Sequence, residues 1–272
     1  MRLLFLGDVM GRAGREAVVD RLPSLIETYG FDFVVINGEN ASHGRGITEA
    51  HFELLREAGA DVVTLGDHAF DQREIMTAIE RHQTLVRPIN LVPGAPGRGA
   101  TLVTGRNGHQ VLVINALGRV FMPPMDDPFR AVDKAIADCP LGQQADAIVV
   151  DFHAEATSEM QAMGQYLDGR VSLVVGTHTH IPTSDHRILK GGTALMSDAG
   201  MCGDYDSVIG MDSEEPLSRF LTGLASARFT PAEGEATLCG VAIETNPRSG
   251  LCEKVMPIRI GGTLSQSLPD FR

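Results

Sequence analysis

Short runs of Val, Ile and Leu recur along the first 200 or so residues, and between them apolar positions return every three or four residues. The runs Leu3–Leu6, Phe33–Ile36, Val62–Leu65, Val111–Ile114, Ala147–Phe152, Ser172–Val175 and Ala194–Met196 are rich in strand formers and too short for helices. The intervening stretches read as helices. Val18, Leu22, Leu25 and Tyr29 share one helical face, with Pro23 expected to kink or restart it. Phe52, Leu55 and Ala58 form a stripe after an N-cap at Thr48. Asp71 with Glu74 has the spacing of a capping box ahead of Ile75 and Ile79. Asp127-Pro128 starts a further helix, with Phe129, Val132 and Ile136 inward.

Alternating strands and helices, with strands apolar throughout, predict a largely parallel sheet covered on both faces. The last 70 or so residues differ. Leu238–Glu244 and Glu253–Ile260, separated by the turn signal Asn246-Pro247-Arg248-Ser249-Gly250, predict a terminal antiparallel hairpin. No repeat, low-complexity segment or linker interrupts the pattern, so residues 1–272 are expected to form a single domain.

Composition narrows the function classes. Hydrophobic residues make up 43% and charged residues 21%, which suits a folded globular chain. The formal net charge of −12 argues against a duplex-DNA surface and against docking on anionic lipid. It does not exclude a small anionic substrate, because bound metal ions invert the local field. No apolar run reaches transmembrane length, and Asp8 interrupts the N-terminal run before a signal-peptide core forms. Cys139, Cys202, Cys239 and Cys252 are scattered without a CxxC pair, so free thiols and a cytoplasmic location are expected.

The chemistry-bearing residues lie just past the strands. Gly7-Asp8 comes after the first, Asn37-Gly38-Glu39-Asn40 after the second and Gly66-Asp67-His68 after the third. Ala147–Phe152 runs into His153, and Ser172–Val175 leads into Gly176-Thr177-His178-Thr179-His180. Open α/β folds build their sites at the carboxyl ends of strands. Five strands thus deliver Asp, Glu, Asn and His to one edge, an oxygen and imidazole donor set without thiolate that suits manganese, iron or zinc. In an extended segment His178 and His180 would point to the same side, towards one metal centre or a close pair. Glu39 has two oxygens and can bridge two ions, and ions about 3.5–4 Å apart are the usual arrangement for phosphate-ester hydrolysis. Each group alone has an ordinary explanation as a cap or turn residue; their shared topological position does not.

The remaining histidines carry less. His51 and His82 lie on helical patterns, His109 sits in a turn, and His186 follows no strand. His43, in the Gly-rich loop after Glu39, is a candidate substrate contact. Gly7–Gly14 follows a strand and opens a helix but matches neither GxGxxG nor a P-loop, and no GxSxG is present.

Taken in order, these motifs resemble those of the calcineurin-like metallophosphoesterases. The Gly38-Glu39-Asn40 form of the second motif, together with Asp204-Tyr205-Asp206-Ser207-Val208-Ile209-Gly210, is similar to the bacterial YmdB-type branch. The likeness runs from Met1 to about Ile260. It implies a four-layer α/β/β/α sandwich, two central sheets flanked by helices, and a centre of two divalent or mixed-valence metal ions, iron or manganese foremost and zinc also compatible. Carried over, Asp8, Glu39, Asn40 and His180 would hold the first ion; Glu39, Asp67, His153 and His178 would hold the second; and His68 would be the general acid. The implied activity is hydrolysis of phosphodiesters, including 2′,3′- and 3′,5′-cyclic nucleotides, by a metal-bridging hydroxide. Two departures stand out. Most relatives carry Asp-x-His in the first motif, whereas Asp8 is followed by Val9 and Met10, with Asn40 as the substitute oxygen donor, and Asp67 stands where the family has Asn.

The expected function is therefore a dinuclear phosphodiesterase acting on a small phosphodiester or cyclic nucleotide, with a homo-oligomer left open. Asp151 and Asp198 are expected to hold ligating imidazoles through their second ring nitrogens. The alternatives are a phosphomonoesterase or nucleotidase on the same centre, or a regulatory metal-binding protein with vestigial activity.

Overall fold

In a computed structural model the described residues are 1–271. The first half runs β1 (Arg2–Leu6), β2 (Asp8–Val9), α1 (Gly11–Tyr29), β3 (Phe33–Asn37), α2 (Glu49–Glu57), β4 (Val62–Thr64), α3 (Ile75–Arg81), β5 (Leu85–Val86), β6 (Ala100–Thr104) and β7 (Gln110–Leu117). Then come α4 (Pro128–Asp138), β8 (Ala147–His153), α5 (Thr157–Leu167), β9 (Leu173–Thr177), β10 (Arg187–Ile188), β11 (Ala194–Met196), β12 (Met201–Asp204), α6 (Glu214–Thr222), β13 (Ala236–Thr245) and β14 (Cys252–Ile260).

The strands form two sheets, not the single one that strand–helix alternation predicts. One has the order β2-β12-β13-β1-β3-β4-β5, with β14 paired to β13; the other has the order β10-β11-β9-β8-β7-β6. Alternate residues explain the stacking. Leu3 and Phe5 of β1, with Phe33 and Val35 of β3, pack between the sheets against Val111, Val113, Val149 and Val175. Leu4, Leu6, Val34 and Ile36 point the other way, onto Val18, Leu22 and Leu25 of α1 and onto Phe52 and Leu55 of α2. The second sheet turns Ile114, Ile148 and Val150 outward under Val132 and Ile136 of α4 and Met160 and Met163 of α5. The strands are apolar on both faces, but one face of each sheet is covered by the other sheet. The result is the four-layer α/β/β/α sandwich.

Local expectations divide. Thr48 caps α2 by accepting from the His51 backbone N–H at 3.2 Å. Asp127 caps α4, accepting from Phe129 and Arg130. The terminal hairpin forms as β13 and β14, and β13 also inserts antiparallel beside β1. Pro23 neither breaks nor restarts α1; it sits on the exposed face of one helix spanning Gly11–Tyr29. The capping box at Asp71 is absent: α3 begins after Glu74 with no side-chain cap, and Asp71 is engaged by His68.

Candidate metal centre

Within each sheet the site-bearing strands run parallel, and the same end of both sheets carries the polar residues. The first sheet supplies the oxygen donors: Asp8 from β2, Glu39 and Asn40 from the turn after β3, and Asp67 from the turn after β4. The second supplies the imidazoles: His153 closes β8, and His178 and His180 come after β9. Gly66 is required where the two sets meet. A Cβ there would lie 2.1 Å from Glu39 Oε2 and 2.6 Å from the His153 ring.

One donor atom each from Glu39, Asp67, His153 and His178 lie within 4.8 Å of one another. His153 Nε2 is 3.2 Å from Glu39 Oε1, 3.0 Å from Asp67 Oδ1 and 3.0 Å from His178 Nδ1, and His178 Nδ1 is 3.3 Å from Asp67 Oδ1. One ring nitrogen carries at most one proton and cannot serve three such partners. A cation among these atoms satisfies them together.

A second group adjoins it. His180 Nδ1 donates to the Ile209 carbonyl at 2.7 Å, so in the neutral ring Nε2 presents a lone pair. Burial holds His180 below the ordinary imidazole range, which favours that neutral ring. Nε2 faces Asn40 Oδ1 at 3.3 Å, and the Asn40 amide is oriented by its N–H donation to the Gly44 carbonyl at 3.1 Å. Two acceptors face one another with no proton between them. Asp8 is fully buried; its Oδ2 accepts from the His178 backbone N–H, while Oδ1 has no hydrogen-bond partner. His153 Nδ1 stands 4.0 Å from that Oδ1, and a buried carboxylate oxygen without a hydrogen bond is costly unless a cation compensates it. Both groups therefore fit divalent ions by the chemistry of their donors.

The chain's own charges pull these groups in opposing directions. Burial works against a charged His153, yet Glu39, Asp67 and Asp8 push it well above the usual imidazole range. Burial likewise opposes the charge on His178, and the hydrogen bond with Asp67 raises it nonetheless. Burial resists ionisation of Glu39 and of Asp67, but His153 outweighs it at both, with His178 adding to the effect on Asp67, and holds each carboxyl below its usual range. Asp8 is pushed up to about 7 by burial, against the pull of His153.

The HxH segment is not extended. His178 has φ 102° and His180 has φ 66°, so the two imidazoles reach different groups instead of sharing a side. Such backbone costs of order 1–3 kcal/mol per residue unless its surroundings hold it. Here Asp8 accepts from His178 N–H, and Asp198 accepts from both the Thr179 backbone N–H at 3.0 Å and its hydroxyl at 2.8 Å.

This corrects the expectation for Asp151 and Asp198. Neither binds a ligating imidazole. His153 Nδ1 donates to Thr177 Oγ1 at 2.8 Å, and that hydroxyl donates to Asp151 at 2.7 Å, so Asp151 acts one bond further out. Asp198 holds the backbone between the two histidines. Three contacts escaped sequence reading: Thr177, the Ile209 carbonyl, and Glu155, whose Oε2 lies 3.2 Å from His178 Nε2. Only Glu155, two residues past a strand-end histidine, carried a readable signal.

His68 lies beside the cluster without joining it. Its Nδ1 is 3.0 Å from Asp71 Oδ2, and its backbone N–H donates to Glu39 Oε2 at 3.1 Å. A cavity of about 500 Å³ opens over Glu39, His68, His178 and His180. His43 is exposed and does not line this cavity; Arg45 does.

The model of the YmdB-like protein family matches residues 4–258. A 2′,3′-cyclic-nucleotide 2′-phosphodiesterase of Bacillus subtilis is 48% identical over 260 residues, covering 96% of this chain and 97% of that protein. A crystal structure of a hypothetical protein from Thermus thermophilus superposes with a TM-score of 0.89 at 42% identity, covering 97% of this chain and 100% of that one. A novel phosphatase from Mycoplasma pneumoniae superposes with a TM-score of 0.88 at 34% identity, over 96% and 93% of the two chains.

Proposed function

The chain belongs to the YmdB-like family, and from that premise we propose that it is a two-metal phosphodiesterase whose substrates are 2′,3′-cyclic nucleotides, the class named for its Bacillus relative, with 3′,5′-cyclic nucleotides next in line. One observation carries this reading: two adjoining groups of buried and half-buried donors, one with its acceptors facing each other and the other with one ring nitrogen shared among three partners, reach a single cavity through Glu39, Asn40, His178 and His180. Asp8, Asn40 and His180 would hold one ion, Asp67, His153 and His178 the other, and Glu39 both. The nitrogen and oxygen donors suit iron or manganese, with zinc compatible.

Bound there, the ions would acidify a shared water and neutralise charge on the phosphoryl oxygens. The chain's own residues do the rest. His68, oriented by Asp71 through Nδ1 and with Nε2 3.9 Å from Asp67 Oδ2, stands where its Nε2 would protonate the departing ribose oxygen, the role of a positioned general acid. Thr177 and the Ile209 carbonyl fix the ring nitrogens that face the centre. The cysteines, all unpaired among the described residues, suit a reducing cytoplasm. No helix among the described residues is long and apolar enough to cross a membrane.

The test is a side-by-side assay of the metal-loaded protein on 2′,3′-cyclic AMP and on adenosine 3′-monophosphate. The proposal expects the cyclic diester to be turned over at least about tenfold more efficiently, a difference of only about 1.4 kcal/mol in barrier. Equal or reversed efficiencies would point to a phosphomonoesterase.

A further inference from the structure

The cavity over the donor cluster is polar on one side only. Its other wall comes from the segment between β12 and β13, through Ile209, Met211, Pro216, Phe220 and Phe229. A phosphodiester and a ribose have no use for such a wall; a nucleobase does. Resting on the proposed function, we infer that Phe220 and Phe229 form a stacking platform for the base of a cyclic nucleotide whose phosphate lies on the donor cluster.

The platform is built in advance. Phe229 carries the Arg219 guanidinium on one side of its ring, 4.0 Å from the centroid. Arg219 is itself held by Glu215 Oε1 at 2.6 Å and by the Ala227 carbonyl at 2.6 Å. Glu215 also accepts from the Ser226 and Ala227 backbone N–H groups and from the Ser226 hydroxyl. These bonds pin the loop that carries Phe229 against α6. The Ser226 and Arg219 hydrogen bonds lower the Glu215 carboxyl to about 2, so the clip stays ionised at neutral pH. Phe220 is 86% exposed although it lines the cavity. A ring left uncovered at the mouth of a polar site has the full face that a base would stack upon. The cavity, at about 500 Å³, falls within the ordinary range for small-molecule pockets.

The test compares 2′,3′-cyclic AMP with ribose 2′,3′-cyclic phosphate, which has the same reacting bond and no base, on the metal-loaded full chain. Phe220→Ala and Phe229→Ala are assayed beside Leu224→Ala, a control just past the end of α6 that is 70% exposed and outside the cavity lining. The wild type is expected to prefer the nucleotide in kcat/KM. Each Phe variant should lower that preference by roughly 5- to 150-fold, the range for losing one base–aromatic stack, and the loss should appear in KM. Adenosine should inhibit the wild type competitively and the Phe variants far less. Leu224→Ala should behave as wild type. Equal efficiency of the wild type on both substrates, or equal losses on both in the variants, would overturn the platform while leaving the phosphodiesterase in place. No turnover of either substrate would overturn the phosphodiesterase reading and the platform with it. Unchanged kinetics with altered self-association in Phe220→Ala would assign the exposed side of α6 to a protein contact and reject the platform.

Discussion

Asp67→Asn tests the one donor whose charge the resemblance to the metallophosphoesterases does not call for, because it removes that charge while keeping an oxygen donor and nearly the same shape. Asp8, Glu39 and Asp67 together bring three negative charges to a centre proposed for two divalent ions; the variant brings two. Asp67 Oδ1 lies 3.0 Å from His153 Nε2 and 3.3 Å from His178 Nδ1. Unit charges at those distances, at an effective dielectric of about 20, attract by about 5 kcal/mol per pair, which is a ceiling. The Asp67 and His178 side chains are 20% and 22% exposed, so water screens part of it. Burial opposes the charge on both imidazoles, and the Asp67 carboxylate is among the groups that raise them nonetheless. In the metal-free variant both imidazoles should therefore titrate lower than in the wild type, read by NMR of the two rings. Binding of the second metal ion should weaken by roughly 10- to 100-fold, measured against a chelator buffer, the scale seen when a ligand's support is altered. The less anionic centre leaves more cationic charge to acidify the attacking water, so the acidic limb of the pH–rate profile should move down by about one unit. Unchanged imidazole pKa values, metal affinity and pH profile would remove Asp67 from the centre.

The geometry sets three further outcomes. His68→Ala should keep both metals and lose ~10²–10⁴-fold in kcat, most on substrates with poor leaving groups, whereas Asp71→Asn should lose less; equal losses on aryl and alkyl phosphodiesters would exclude the general-acid role. Thr177→Val cuts the path from His153 to Asp151 and should weaken metal binding about 10- to 100-fold with little change in fold, read by chelator competition and circular dichroism. The metal-free protein should lose Tm as pH rises from 6 to 9. The folded pKa values of His153 and His178 are raised, so their contribution is whole below the unfolded value of about 6.5 and is lost as pH climbs through the folded values. Asp8, raised to about 7, loses its contribution in the same direction between about 4 and 7. Glu39 and Asp67 are lowered, so theirs is lost only in acid. The cost is roughly 2–4 °C in Tm per kcal/mol, and saturating metal should flatten the curve; a metal-free Tm that rises with pH would contradict the charge assignment.

The long buried strands were legible because both faces of β1, β3, β8 and β9 are apolar, and a continuous Val/Ile/Leu run records that directly. The covering of each face was not. Leu4 and Phe5 are equally apolar, yet one packs under helices and the other against a second sheet. The strands β2, β5 and β12 are two to four residues long and exist through their partners, as where Met201 aligns with Asp8. The donors were visible because each sits at the carboxyl end of a strand. Their supports were not, since Thr177 and the Ile209 carbonyl are ordinary groups until the chain folds over them. Asp71 misled for a physical reason: its spacing to Glu74 suits a cap, but His68, three residues earlier, competes for the carboxylate and takes it. The wall around Phe220 and Phe229 had a signal in the spacing of Leu217, Phe220 and Leu221, a helical stripe that the structure leaves exposed.

The proposed mechanism needs two ions, sharing Glu39, for phosphodiester hydrolysis. The most direct measurement strips the protein of metal and returns manganese in steps, following the initial rate on 2′,3′-cyclic AMP against metal bound per chain. Two-ion catalysis predicts no turnover without metal, little with one ion, and full activity only as the second fills, with Glu39→Ala inactive throughout. Full activity at one ion per chain, or in the absence of metal, would contradict it.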